Sequence, residues 1–89
     1  MESTETLKTR VKTAIVRSLR LTISPSEITD EDPLFGEGLG LDSIDALELV
    51  LELERSFGVT VTDEEVGARV LRSVSSIVSF IEASHARSG

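Results

Sequence analysis

The chain has no cysteine, tryptophan or tyrosine, and its only aromatic residues are three phenylalanines. Without cysteine, disulfides, thiolate metal sites and cysteine nucleophiles are all excluded. The shortage of stacking aromatics and the net charge of −7 argue against nucleic-acid binding. No apolar run approaches the roughly 18 residues that span a bilayer, and the polar, acidic N-terminus is unlike a signal peptide. We therefore expect a soluble, cytoplasmic protein, and we separately expect it to be a monomer.

The length of 89 residues suits a single domain, 1–89, with about residues 84–89 fraying at the end. A domain of this size buries only roughly 60–65% of the surface that its unfolded chain exposes. It has no room for both a core and a large active-site cleft, so we expect a protein without catalytic activity of its own.

The excess acid lies in one continuous part of the chain. Residues 1–26 carry a charge of +3, residues 27–54 carry −10, and residues 55–89 are neutral. A block of like charge is commonly a solvated face. The functional alternative is a landing surface that steers a basic partner.

The apolar spacing predicts an all-α fold, a small bundle of three main helices and one short helix. We expect helices over about 3–19 and 42–57, a short one from Asp63, and a last one from about Ser73. A long first loop, about 21–42, is interrupted by two prolines and several glycines. The apolar residues that would pin this loop to the core are Ile28, Leu34, Phe35 and Leu39.

Ser43 stands where the long loop enters the second helix. A helix N-terminus offers unpaired N–H groups and a positive dipole end, which favour a phosphate ester there. The alternative is that Ser43 only caps the helix. Asp42 can cap instead, with Asp45 at capping-box spacing, and the Ser43 hydroxyl would then be free to face solvent.

The second helix carries two apolar stripes, although its own core needs only one. Ala46, Leu49, Val50, Leu53 and Phe57 form the first stripe. The second stripe consists of Ile44, Leu47 and Leu51, with Glu48, Glu52 and Glu54 beside it. Either this second stripe docks a partner through apolar contact and acidic steering, or the third helix covers it.

Taken together, these motifs resemble the acyl carrier proteins, over nearly the whole chain. The residues that carry the resemblance are Asp42-Ser43-Ile44, the preceding Gly38-Leu39-Gly40-Leu41, the following Glu48-Leu49-Val50, Phe35, Phe57-Gly58, Asp63-Glu64-Glu65 and Ser73-Val74. The tripeptide alone is a weak signal. It becomes strong at a loop-to-helix junction in an acidic, all-helical chain of this length.

The resemblance implies that a phosphopantetheinyl transferase attaches a 4′-phosphopantetheine arm from coenzyme A to Ser43, beside Asp42. The arm would end in a thiol that holds acyl groups as thioesters, so the missing sulfur would be imported. The family also implies docking on basic patches of the transferase and of acyl-processing enzymes. The residues expected to dock are the acidic Asp42, Asp45, Glu48 and Glu54 and the apolar Ile44, Leu47 and Leu51.

Alternatives remain open at this point. A peptidyl or aminoacyl carrier shares the arm and the fold, and an arm-free helical adaptor would share the fold alone. Leu41 and the Arg55-Ser56 pair depart from the pattern of housekeeping fatty-acid carriers, which hints at a specialised polyketide or lipid pathway. The spacing of Asp42 and Asp45 does not match a calcium loop, so no metal site is expected. His85, the only histidine, is expected to be a solvated tail residue and not a catalytic base.

Overall fold

The computed structural model describes residues 3–35 and 42–88. In these ranges the chain forms four α-helices and one 3-10 helix, and residues 59–62 have no regular secondary structure. The bounds are α1 Thr4–Ser18, the 3-10 helix Pro25–Glu27, α2 Ser43–Phe57, α3 Glu64–Val70 and α4 Val74–Ser88. The predicted all-α class, with three long helices, one short helix and a long first connection, is confirmed.

Short polar side chains cap the helices at the starting positions that the sequence predicted. Ser3 Oγ accepts from the N–H of Thr6 at 3.1 Å at the start of α1. Asp63 Oδ1 accepts from the N–H of Val66 at 2.8 Å at the start of α3. Each of these side chains satisfies a backbone donor that the first helical turn cannot pair internally.

Gly58 ends α2. Its φ of 67° lies in the left-handed region, where a residue with a Cβ is disfavoured. The Gly58 N–H donates to the carbonyl of Glu54 at 3.1 Å, which is the usual way to close a helix C-terminus. The predicted glycine stop is confirmed.

One apolar core joins the helices. α1 packs against α2, α4 and the 3-10 helix, and α3 packs against α4. The buried core side chains are Leu7, Val11, Ala14, Ile15, Ile28, Leu34, Leu49, Leu53, Phe57, Val59, Val70, Leu71, Val74, Ile77, Val78 and Ile81. Because α1 contributes to both main contacts, it forms the centre against which α2 is positioned.

The first connection is anchored as the sequence predicted over its described part. Ile28 and Leu34 are buried, and Phe35 packs against the core at its edge; Leu39 lies outside the described residues. Backbone bonds add to this, since the N–H of Leu34 donates to the carbonyl of Arg72 at 3.0 Å.

An ion-pair cluster ties the same connection to α1. Asp30 Oδ1 lies 2.7 Å from Lys12 Nζ, and Asp30 Oδ2 lies 3.1 Å from Lys8 Nζ. Hydrogen bonds from Lys12 and Lys8 hold the pKa of the Asp30 carboxyl below its ordinary value. The same contact with Asp30 raises the pKa of Lys8.

The last helix continues to Ser88, so it includes residues 84–88 of the segment that the sequence predicted to fray. His85 is exposed, but it is not only a solvated tail residue. Its Nε2–H donates to the carbonyl of Phe57 at 2.8 Å. The guanidinium of Arg10 lies 4.8 Å from the Phe57 ring centroid, a cation–π distance. The end of α2 is therefore held from both α1 and α4.

Candidate functional site

The first turn of α2 is closed by a reciprocal pair of carboxylates. Asp42 Oδ1 accepts from the N–H of Ile44 and from the N–H of Asp45, both at 3.0 Å. In return, Asp45 Oδ2 accepts from the N–H of Asp42 at 3.1 Å. This arrangement is a capping box, and it confirms the expectation that Asp42 caps the helix with Asp45.

Ser43 is the first residue of α2, and it is exposed. None of the residues that the structure describes forms a hydrogen bond with its hydroxyl. The capping alternative for Ser43 is therefore wrong, because Asp42 already occupies the donors that a serine cap would use. The hydroxyl is available for chemistry at the surface.

The two apolar stripes of α2 have opposite fates. Leu49, Leu53 and Phe57 are buried in the core, and Ala46 and Val50 pack against it. On the other side, Ile44 is 68% exposed, Leu47 60% and Leu51 53%. The alternative that α3 covers Leu47 and Leu51 is wrong, since α3 rests on α4. We call Ile44, Leu47, Glu48 and Leu51 the open face of α2.

The acidic residues around the open face differ in their exposure and in their hydrogen bonds. Glu48 is exposed and Asp45 is half-buried within the capping box. Glu54 is also half-buried, and its Oε2 accepts from the backbone N–H of Val61 at 3.0 Å. Glu54 thus holds the connection between α2 and α3, a role that the sequence did not reveal.

Glu52 forms a compact cluster near the end of α2. Its two carboxylate oxygens accept from Ser56 Oγ at 2.6 Å and from Arg55 Nη2 at 2.9 Å. The Ser56 bond, supported by Arg55 and by the charge of Arg17, holds the pKa of Glu52 below its ordinary value. The negative charge of Glu52 is therefore largely committed within the protein.

An open cleft lies between α3 and α4. Apolar side chains, a cation and a hydroxyl line it, namely Val66, Arg69, Val70, Ser76 and Phe80. Ser76 Oγ donates to the carbonyl of Val70 at 2.7 Å, so its hydroxyl is already used in joining the two helices.

No helix in the described ranges is long and apolar enough to cross a membrane.

Comparison with known proteins gives a consistent result. The family model described as the phosphopantetheine attachment site matches residues 9–81. An acyl carrier protein from Sulfurovum sp. (strain NBC37-1) is 39% identical over 72 residues, which is 81% of this chain and 89% of the relative. The acyl carrier protein of Wolinella succinogenes is 38% identical over 72 residues, 81% of this chain and 88% of its own. That of Thermotoga maritima is 38% identical over 82 residues, 92% of this chain and 95% of its own.

Proposed function

Because the chain belongs to the acyl carrier protein family, we propose that Ser43 is the residue that bears its phosphopantetheine group. The supporting observation is the exposed Ser43 hydroxyl, which bonds to none of the residues in 3–35 and 42–88, beside a helix cap supplied by Asp42. The chain is a non-catalytic carrier, and the group supplies the thiol that holds an acyl chain as a thioester. The absence of cysteine leaves that thiol without an internal competitor.

Attachment requires little of the carrier beyond an accessible oxygen. Ser43 Oγ would lose its proton and form a phosphoester bond to the inner phosphate of coenzyme A, while the pyrophosphate P–O bond breaks and the nucleotide half leaves. The modifying transferase would provide the base and the Mg²⁺. Asp42 would act through the backbone, because its cap fixes the helix start that presents the hydroxyl.

The cap also bears on how freely the arm moves. A phosphate on Ser43 would find the N–H groups of Ile44 and Asp45 already bonded to Asp42. The two neighbouring carboxylates, Asp42 and Asp45, would repel the phosphate further. The sequence indicated that the positive end of the helix favours a phosphate at Ser43. We propose instead that the arm is not held against the helix N-terminus and extends into solvent towards a partner enzyme.

The carrier role implies contact with acyl-processing enzymes, and we propose that the open face of α2 makes that contact. Ile44, Leu47 and Leu51 offer apolar area for affinity. Asp45 and Glu48 offer charge for steering towards basic patches on the transferase and on acyl-processing enzymes. A contribution of Glu54 to docking stays a prediction, because one of its oxygens is bonded to Val61.

We also propose which cargo the carrier holds and in which kind of pathway it works. The relatives named above are acyl carrier proteins, which favours acyl groups over aminoacyl groups as the cargo. Departures at Leu41 and Arg55 still favour a specialised polyketide or lipid pathway over bulk fatty-acid synthesis. We also propose that the carrier works as a monomer in the cytoplasm, where coenzyme A is available.

The attachment proposal is tested by intact-mass measurement after incubation with coenzyme A and a promiscuous phosphopantetheinyl transferase. We expect the wild-type chain to gain one phosphopantetheinyl group and Ser43→Ala to gain none, while Ser56→Ala, another exposed serine of α2, behaves like wild type. An unchanged wild-type mass would leave the chain as an arm-free adaptor. Loading with acyl against aminoacyl donors then separates the two kinds of carrier.

A further inference from the structure

Arg55 lies on the same side of α2 as the apolar residues of the open face. Positions 44, 48, 51 and 55 follow the i, i+4, i+7, i+11 spacing of one helix face. The Arg55 side chain is 76% exposed. The surroundings of the open face are therefore not uniformly acidic. Asp42 and Asp45 lie beside its start, and the cation Arg55 lies beside its end.

The pair with Glu52 does not cancel this cation. It uses Arg55 Nη2, and a guanidinium carries five N–H donors. The other donors of Arg55 bond to none of the residues in 3–35 and 42–88. Glu52 is the more buried partner, with its side chain only 19% exposed, and its second oxygen is bonded to Ser56. An approaching protein therefore meets the guanidinium more readily than the carboxylate.

A second cation strengthens the contrast between the two ends of α2. Arg17 of α1 is exposed, and its charge adds to the lowering of the Glu52 pKa, after the Ser56 and Arg55 contacts. The start of α2 presents Asp42, Asp45 and Glu48, with no basic residue between positions 27 and 54. Ser43 and Arg55 are about 18 Å apart along the axis, at the α-helical rise of about 1.5 Å per residue.

We propose that Arg55 is a specificity residue that pairs with a carboxylate on the enzymes that dock here, the modifying transferase included. The partner's footprint would be basic and apolar near Ser43 and acidic about 18 Å away. A uniformly basic surface would meet repulsion at Arg55. The inference rests on the proposed function, since it assumes that enzymes reach Ser43 across the open face.

The test measures kcat/KM for phosphopantetheine transfer by the transferase of the cell that makes this chain, at low and high salt. We expect Arg55→Glu to lower kcat/KM about tenfold at low salt and Arg55→Gln about threefold, with both differences falling below about twofold at high salt. The matched control is Arg69→Glu, which reverses an exposed arginine on α3. It should stay within about twofold of wild type.

Two further arms separate docking from structure. Glu52→Gln removes the internal pair and leaves the cation, so it should not slow transfer. Thermal unfolding identifies any variant that is modified slowly because it is partly unfolded. Arg55→Gln places no new charge beside Glu52, so it still tests docking if Arg55→Glu does not fold. A purely structural Arg55 would lower thermal stability in both Arg55 variants without changing kcat/KM.

The inference is overturned if Arg55→Glu is modified as fast as wild type or faster, or if Arg69→Glu loses as much as Arg55→Glu. Both results leave Ser43 modification intact. Failure of the proposed function looks different, because the wild-type chain would then gain no phosphopantetheinyl group at either salt concentration.

Discussion

In the first turn of α2, the side chains of Asp42 and Asp45 each accept a hydrogen bond from the backbone N–H of the other residue. The Asp45 N–H donates to Asp42 Oδ1 at 3.0 Å, and the Asp42 N–H donates to Asp45 Oδ2 at 3.1 Å. This reciprocity releases Ser43 from any capping duty. A residue that looked, by position alone, like a helix cap is left as an exposed hydroxyl.

The division of labour at this turn predicts different costs for neighbouring substitutions. Asp42→Ala should lower the free energy of unfolding by about 1 kcal/mol, since it removes the cap. Ser43→Ala should change it by less than about 0.5 kcal/mol, as expected for an exposed residue that caps nothing. Urea denaturation measures both, with Asp42→Asn as the control that keeps a capping oxygen. Equal costs for the two alanine variants would return the capping role to Ser43.

Glu54 is predicted to stabilise the connection between α2 and α3. Glu54→Ala removes the acceptor of the Val61 N–H, which should cost about 1 kcal/mol and speed hydrogen exchange at that amide. Glu48→Ala, an exposed acid on the same helix, is the matched control and should leave the Val61 amide protected. If both variants exchange at the wild-type rate, the Glu54 carboxylate does not hold this loop in solution.

Arg20 offers a route to a more stable chain. Its φ is 52°, and it follows α1 where the N–H of Leu21 donates to the carbonyl of Val16 at 3.0 Å. This is the left-handed position of a Schellman motif, which glycine favours. Arg20→Gly should therefore raise the free energy of unfolding by about 0.5–1 kcal/mol. Arg20→Ala keeps the Cβ, and a gain as large there would rule out relief of backbone strain.

Asp30 should make stability depend on pH in the acidic range. Its folded-state pKa lies below the ordinary value of 3.8, chiefly because of Lys12 and Lys8. The stabilisation is therefore complete above pH 3.8 and is lost as the pH falls through the folded-state pKa. The difference in unfolding midpoint between wild type and Asp30→Asn should be constant near neutral pH and shrink under acid. A difference that does not vary with pH would mean that the ion pairs contribute nothing.

The parts of the fold that follow from local chemistry could be predicted from the sequence. The caps Asp42 and Asp63 and the stop at Gly58 act within a few residues of themselves, and each lies where it was expected. The exposure of Leu47 and Leu51 could not be decided, because it depends on which helix α3 packs against.

The contacts that were missed are side-chain contacts beyond the capping residues of each helix. The bond from Val61 to Glu54 spans a loop, and His85 reaches Phe57 from another helix. Neither contact has a local pattern that would predict it. The Arg55–Glu52 pair had a signal in its i, i+3 spacing, but only the structure shows that the arginine remains the exposed member.

The most direct test of the central claim is fragment-mass mapping of the wild-type chain after modification with coenzyme A. This measurement locates the phosphopantetheinyl group on a residue without relying on a substitution that could also disturb docking. We predict a single modified residue, Ser43. Localisation of the group to any other serine, or a chain that carries no group under conditions that modify a known acyl carrier protein, would contradict the account.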